Sequence, residues 1–152
     1  MKEREIFVYG FGNPGRGDDA IGSILAGMIE NRQIPGVVTD SNYQLNIEDA
    51  YEISKSRKVI FIDASYDCEE PFSFYEIKPS SEITFTTHSM HPKSVLALCS
   101  DLYNDSLTGY ILAVRGYSFE FEEKISEKAE ENLKEAYDFL SKAIDRFLSE
   151  EI

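Results

Sequence analysis

The amino-acid sequence predicts an α/β fold: a three-layer sandwich in which a mostly parallel, twisted sheet of about five strands carries helices on both faces. Short β-branched and aromatic runs alternate with segments of helical apolar spacing, in the order β-α-β-α-β-β-α-β-α. One run, KVIFIDA at 58–64, is almost continuously apolar, as in strands that are buried on both faces. The 152 residues contain no repeat or linker and fit a single domain, 1–152.

The first half of the chain begins with a predicted strand at Ile6–Tyr9, followed by a helix that Asp18 or Asp19 opens. Apolar residues recur along one face of this helix: Ala20, Ile21, Ile24, Leu25, Met28 and Ile29. An acid at a helix start is favoured by the exposed N–H groups and the helix dipole, so capping alone explains Asp18. A short strand that ends at Asp40 and a helix over 46–56 come next.

The second half starts with the strand at 58–64, in which Asp63 is the last polar residue. The alternating segment PFSFYEI predicts a strand at the edge of the sheet. A helix is predicted in HPKSVLALCSDLY, where Pro92 suits the first turn, and YILAV predicts another strand. Ser126 is placed to cap a long acidic helix, and 115–124 is the longest stretch without a predicted element.

The chain is strongly acidic, with 28 Asp plus Glu against 15 Lys plus Arg and a net charge of -13. This charge disfavours nucleic acids and anionic membranes, and favours cations, basic protein surfaces and neutral small molecules. No apolar stretch approaches the roughly 20 residues that span a bilayer, and the N-terminal apolar run is shorter than a signal peptide's. We therefore expect a cytoplasmic protein, and its oligomeric state stays open, with a monomer as one possibility. Cys68 and Cys99 are far apart and indicate neither a disulfide framework nor a zinc site.

A glycine pattern follows the first strand, because Gly10, Gly12 and Gly15 spell G-x-G-x-x-G. This spacing is typical of a dinucleotide-binding loop, and Asp40 stands where an acid would contact the ribose. The paired acids that follow the glycines oppose this interpretation, since they bring negative charge to the place where a pyrophosphate would bind. A dinucleotide-binding module is therefore kept as an alternative.

Several polar side chains follow predicted strands and are expected at one edge of the sheet, where parallel strands end. Asp19, Asp40 and Asp63 are the acids, and His88 and His91 precede a helix. Two carboxylates and one imidazole suit a divalent transition metal, with open positions left for substrate or water. The residues alone leave open that these acids and histidines are caps and turn formers.

Three segments together resemble the hydrogenase maturation proteases, endopeptidases that remove the C-terminal extension from the large subunit of nickel–iron hydrogenases. They are GFGNPGRGDDAIG, VIFIDAS and TTHSMHPKSVLAL, which occur in the family's order between about Ile6 and Val114. The first is the most specific, since Asn13 and the paired acids distinguish it from dinucleotide loops. The chain departs from the family at Ala20, where glycine is common, and in the segments TDSNYQLNIEDA and VRGYSFEFEEKIS. These departures concern the choice of substrate.

The resemblance implies an endopeptidase that acts after nickel insertion and contacts the metal through Asp19, Asp63 and His88. Nickel is then expected to arrive within the precursor of the hydrogenase large subunit, which is the expected partner. Asp19 and Asp63 are the candidate catalytic residues, and a general base is the role we expect of whichever one does not bind metal. Asp18 is expected to cap the helix, and His91 competes with His88 as the third ligand. A factor that inspects the nickel site without cleaving is a further alternative.

Overall fold

The computed structural model describes residues 4–80, 85–86, 89–104, 106–121 and 124–150, and within them the predicted α/β architecture is confirmed. The strands in chain order are β1 (Ile6–Phe11), β2 (Val37–Asn42), β3 (Lys58–Ser65), β4 (Phe72–Ile77), β5 (Phe85–Thr86), β6 (Ser89–Met90) and β7 (Thr108–Arg115). The helices are α1 (Ile21–Glu30), α2 (Asp49–Ile53), α3 (Pro92–Leu102) and α4 (Glu127–Ser149). A 3₁₀ turn at Gly17–Ala20 precedes α1.

Five strands form the main sheet, in the order β2-β1-β3-β7-β4, while β5 and β6 pair only with each other. The first four strands of that order are parallel, and β4 pairs antiparallel with β7 at the edge, as its alternating sequence predicts. The chain leaves β1 towards β2 on one side and later returns to β3 on the other side. The loop after β1 therefore lies at a switch point, where ligands bind in open α/β sheets.

Side chains alternate along the central strands and divide the core into two layers. Val8 and Ile60 pack with α1 and α4 on one face, whereas Phe7 and Phe61 pack with α2 and α3 on the other. Asp63 continues the alternation of Phe61, so it lies on the face that α3 covers. The two-residue alternation of β3 thus places Asp63 near the start of α3, about 30 residues later in the sequence.

Glycines bring β1 and α1 into close contact. A Cβ on Gly10 would lie 2.0 Å from the carbonyl oxygen of Gly22, and a Cβ on Gly12 would lie 2.2 Å from that of Asp19. Gly12 also has a φ of 136°, which side chains rarely allow. Two glycines of the pattern, Gly10 and Gly12, therefore have a packing reason that requires no phosphate.

The helix predicted over 46–56 is shorter than expected, because α2 covers only Asp49–Ile53. Ile47 and Tyr51 are 56% and 52% exposed, so these apolar residues contribute little to the core. The Asp49 carboxylate accepts hydrogen bonds from the N–H of Asn46 and the hydroxyl of Tyr9, and so holds this segment in a turn. A local polar contact with β1 therefore limits the helix.

The predicted starts of the helices α3 and α4 are confirmed. Pro92 is the first residue of α3, and the Ser126 hydroxyl accepts a hydrogen bond from the N–H of Ala129 at the start of α4. In the parts of the chain that the structure describes, no helix is both long enough and apolar enough to cross a bilayer.

Candidate active site

The two adjacent acids of the loop after β1 both lie in the 3₁₀ turn, before α1 begins. The N-cap position of α1 is Ala20, and no side chain caps that helix end. The prediction that Asp18 caps the helix is therefore wrong. The physical reason is that the 3₁₀ turn separates both acids from the first residue of α1. Their carboxylates therefore contact other parts of the chain.

Asp18 is fully buried and holds the segment after β7 in place. Its carboxylate accepts hydrogen bonds from the backbone N–H groups of Tyr117, Ser118 and Ser126 at 2.7, 2.9 and 2.7 Å, and from the Ser126 hydroxyl at 2.8 Å. Burial by itself would raise the pKa of Asp18, but these hydrogen bonds outweigh it and lower the pKa. Asp18 therefore joins three parts of the chain: the 3₁₀ turn, the loop after β7 and the cap of α4.

Asp19 is only half buried and remains near the sheet edge. One of its oxygens, Oδ2, accepts a hydrogen bond from the backbone N–H of Asn13 at 2.8 Å. The Asn13 side chain in turn accepts a hydrogen bond from the N–H of Gly15 at 2.8 Å, which fixes the loop. Oδ1 of Asp19 has no hydrogen bond within the described part of the chain, so one oxygen can bind a ligand.

Asp63 occupies the next strand of the sheet, where it pairs with Ala113 of β7. Burial, and then the negative charge of Asp19, raise the pKa of the Asp63 carboxyl to about 7. Within the described residues, neither Asp63 nor Asp19 forms an ion pair with Lys or Arg. Two neighbouring carboxylates without a cation are a donor set suited to a divalent metal ion.

A cleft of about 390 Å³ opens next to Asp63, between the ends of the parallel strands and the start of α3. Its walls include the aromatic side chains of Phe11, Tyr66 and Tyr75, together with His91. Burial raises the pKa of the Tyr75 hydroxyl, and the charges of Cys68 and Asp63 raise it further. Tyr75 has no signal in the sequence that marks it as a site residue, because β4 reaches the cleft only through its antiparallel pairing with β7.

His91 lines this cleft and caps α3. Its Nδ1 accepts a hydrogen bond from the backbone N–H of Lys93 at 3.0 Å. Burial, followed by the positive charge of Lys93, lowers the pKa of the imidazole and so favours the neutral ring. His88, the histidine that the family resemblance favours as a ligand, lies outside the described residues.

Of the three predicted metal contacts, Asp19 and Asp63 lie within electrostatic range of each other. Asp40 is not part of this group, because it lies on the exposed β2 strand, where its carboxylate accepts a hydrogen bond from the N–H of Ser41. In the portions of the chain that the structure describes, no cluster of three His, Cys, Asp or Glu side chains could hold a metal ion. His88 as a third ligand stays a prediction.

The backbone of the glycine loop is already engaged with the protein. The N–H of Gly12 donates to Asn42 and Tyr43, while the N–H of Asp18 donates to Ser118. The N–H groups of Asn13 and Gly15 donate to side chains, as described above. A pyrophosphate needs such N–H groups free at the helix start, so this arrangement opposes the dinucleotide interpretation.

No protein-family model and no curated protein sequence matches the chain. Solved structures do match the chain in their fold. The hydrogenase maturation protease HycI from Thermococcus kodakarensis KOD1 is 20% identical, with a TM-score of 0.72 and coverage of 92% of both chains. The maturating endopeptidase HybD from E. coli is 17% identical, with a TM-score of 0.72 and 93% of both chains covered.

A third similar structure is the hydrogenase 2 maturation peptidase from Thaumarchaeota archaeon SCGC_AB-539-E09. It is 17% identical, with a TM-score of 0.66, and the match covers 92% of this chain and 97% of that one. These identities are low, so the likeness concerns the fold. This chain has the fold of the hydrogenase maturation proteases, which supports the family resemblance seen in its sequence motifs.

Proposed function

We propose that this protein is an endopeptidase that removes the C-terminal extension from the precursor of a nickel–iron hydrogenase large subunit. The observation that carries the proposal is that Asp63 lines an open cleft within electrostatic range of Asp19, in a fold shared with hydrogenase maturation proteases. Both acids stand in the segments that carry the resemblance to this family, GFGNPGRGDDAIG and VIFIDAS. The partner is the precursor, and cleavage follows nickel insertion.

In this proposal nickel belongs to the substrate, and Asp19, Asp63 and His88 contact it when the precursor docks. Two acids that lie close together without a cation repel each other, and a divalent ion relieves that repulsion. The free oxygen of Asp19 and the carboxyl of Asp63 are both hard donors, and an imidazole completes a set suited to nickel. A bound divalent ion supplies Lewis-acid polarisation of a carbonyl group.

A carboxyl group of this chain acts as the general acid and base. With a pKa of about 7, Asp63 is present in both protonation states near neutral pH. If Asp63 is the acid that does not bind nickel, its ionised form accepts a proton from the water that attacks the scissile carbonyl and then returns a proton to the leaving amine. Such a balanced pKa is typical of a general acid–base residue.

The test is the intact mass of a nickel-loaded large-subunit precursor before and after incubation with this protein. We expect the loss of one C-terminal peptide with the wild type. We expect no loss with Asp19→Ala, Asp63→Ala or His88→Ala, or with the metal-free precursor. Asp101→Ala is the matched control, because Asp101 is an exposed acid on α3, away from the cleft.

Two results would contradict the proposal. Normal cleavage by all three site variants would show that the acids and the histidine are not the site. A stable complex with nickel-loaded precursor whose mass never changes would instead indicate a factor that inspects the nickel site without cleaving. Circular dichroism of each variant separates loss of activity from loss of fold.

A further inference from the structure

The two histidines of the segment before α3 differ in the chemistry open to them, and the hydrogen bond of His91 shows why. The backbone N–H of Lys93 can only donate, so Nδ1 of His91, 3.0 Å away, must hold a lone pair. In a neutral imidazole with an unprotonated Nδ1, the proton is on Nε2. The capping of α3 therefore fixes the tautomer of this ring.

This tautomer is unsuited to binding a metal. The lone pair of Nδ1 is already used by Lys93, and Nε2 carries a proton where a metal would need a lone pair. Moving the proton to Nδ1 would set two N–H donors against each other and would remove the cap of α3. The hydrogen bond of His91 therefore opposes a role for this ring as the third metal ligand, and His88 in that role stays a prediction.

The same tautomer makes His91 a hydrogen-bond donor within the cleft. His91 and Asp63 line one cavity of about 390 Å³, a size that accommodates part of a peptide. Nδ1 is engaged on the helix side, so Nε2–H is the polar group that the ring can offer to a ligand. A neutral imidazole holds this proton firmly, so it binds an acceptor rather than protonating one.

We propose that His91 is a substrate-binding residue whose Nε2–H donates a hydrogen bond to a backbone carbonyl oxygen of the peptide segment held beside Asp63. The identity of that peptide as a hydrogenase precursor rests on the proposed function. The role of His91 as a hydrogen-bond donor rests on its cap of α3 and on its place in the cleft. Carbonyl oxygens are the acceptors that every extended peptide presents, and the aromatic walls of the cleft enclose its side chains.

Two variants separate the capping role of His91 from the donor role. In His91→Asn the side-chain oxygen can still cap α3, because Asn is among the favoured N-cap residues, but the shorter side chain has no donor at the Nε2 position. In His91→Gln the amide N–H₂ reaches that position, but the cap is weakened. We expect the Asn variant to keep the wild-type melting temperature and to lose about 100-fold in kcat/KM for the precursor.

The Gln variant gives the opposite pattern, with a lower melting temperature and faster precursor cleavage than the Asn variant. Wild-type cleavage by His91→Asn would overturn the proposal and leave His91 as a helix cap only. Equal losses of activity in the two variants would also overturn it, since the donor would then be irrelevant.

A second readout does not depend on cleavage. Nitrogen-15 NMR of the histidine rings, assigned with the Asn variant, reports which ring nitrogen carries the proton. We expect the Nε2–H form for His91 before and after addition of zinc as a diamagnetic probe. An Nδ1–H form, or a zinc-induced shift of the His91 ring nitrogens that is lost in the Asn variant, would identify a metal ligand instead. If the wild type fails to cleave the precursor, the proposed function fails while this measurement still decides the role of the ring.

Discussion

The carboxyl group of Asp63 is buried within electrostatic range of Asp19, and burial together with that charge raises its pKa to about 7. An ordinary aspartic acid has a pKa near 4. The native protein therefore keeps a proton on Asp63 at pH values where the unfolded chain has released it. The folded chain thus holds two carboxyl groups, Asp19 and Asp63, whose negative charges repel each other. A bound cation would relieve that repulsion.

The first prediction concerns stability against pH in the absence of metal. Between about pH 4 and pH 7 the native state binds more protons at Asp63 than the unfolded state, so its contribution to the free energy of unfolding falls as pH rises. Asp63→Asn removes this dependence, and we expect it to stabilise the protein by about 2–4 kcal/mol at pH 8 relative to wild type. Urea unfolding at a series of pH values measures the difference.

Asp101→Asn is the control for this experiment, because Asp101 is an exposed acid on α3. It should follow the wild-type curve at every pH. If Asp63→Asn instead lowers the free energy of unfolding at pH 8, Asp63 is held in its ionised form by partners that the pKa argument omits.

The second prediction separates the two adjacent acids. Asp18→Asn should cost about 3 kcal/mol of stability, because an amide cannot accept all four hydrogen bonds that the buried carboxylate receives. Asp19→Asn should leave the melting temperature nearly unchanged but abolish cleavage of the precursor. Thermal unfolding and the mass assay, run on both variants, measure the two effects. A stable Asp18→Asn variant would contradict the structural role given to this residue.

Asp18 also has a pH signature opposite to that of Asp63. Its pKa is lowered in the native state, so its stabilising contribution is complete above the unfolded value near 4 and is lost as pH falls through the native value. The loss of stability at acid pH should therefore be smaller in Asp18→Asn than in wild type and unchanged in Asp19→Asn.

The third prediction compares two glycines. Gly10→Ala should destabilise the protein by about 3 kcal/mol or more, since its Cβ would lie 2.0 Å from the carbonyl oxygen of Gly22. Gly27→Ala, within α1, should stabilise it by about 0.5–1 kcal/mol, because a Cβ there meets nothing within 4 Å and alanine favours a helix. Melting temperatures of the pair test whether close packing of β1 on α1 explains the glycine pattern.

The fourth prediction concerns the dinucleotide alternative. Because the N–H groups of the glycine loop already donate within the protein, we expect no heat of binding for NAD or NADH up to millimolar concentrations. Asp40→Ala should likewise change nothing in this calorimetric titration. Saturable binding that Asp40→Ala weakens would restore the alternative.

The sequence was informative where local patterns and periodicity decide structure. Alternation and apolar runs located the strands of the main sheet, and Ser126 marked the start of α4. The helix over 46–56 was overestimated because propensity does not register the contact between Tyr9 and Asp49. Asp18 was misassigned for the same reason, since its partners lie about 100 residues away.

The sequence by itself therefore determined the order of elements, the placing of acids at the ends of strands, and the motifs that resemble a protease family. The tertiary structure decided which of those acids meet. The order of strands places β3 next to β1 and thereby brings Asp63 near Asp19, whereas Asp40 is left on the edge strand β2. The tertiary structure also decided that Asp18 has a structural role. The burial and the hydrogen bonds of its carboxylate depend on neighbours that only the folded chain brings together.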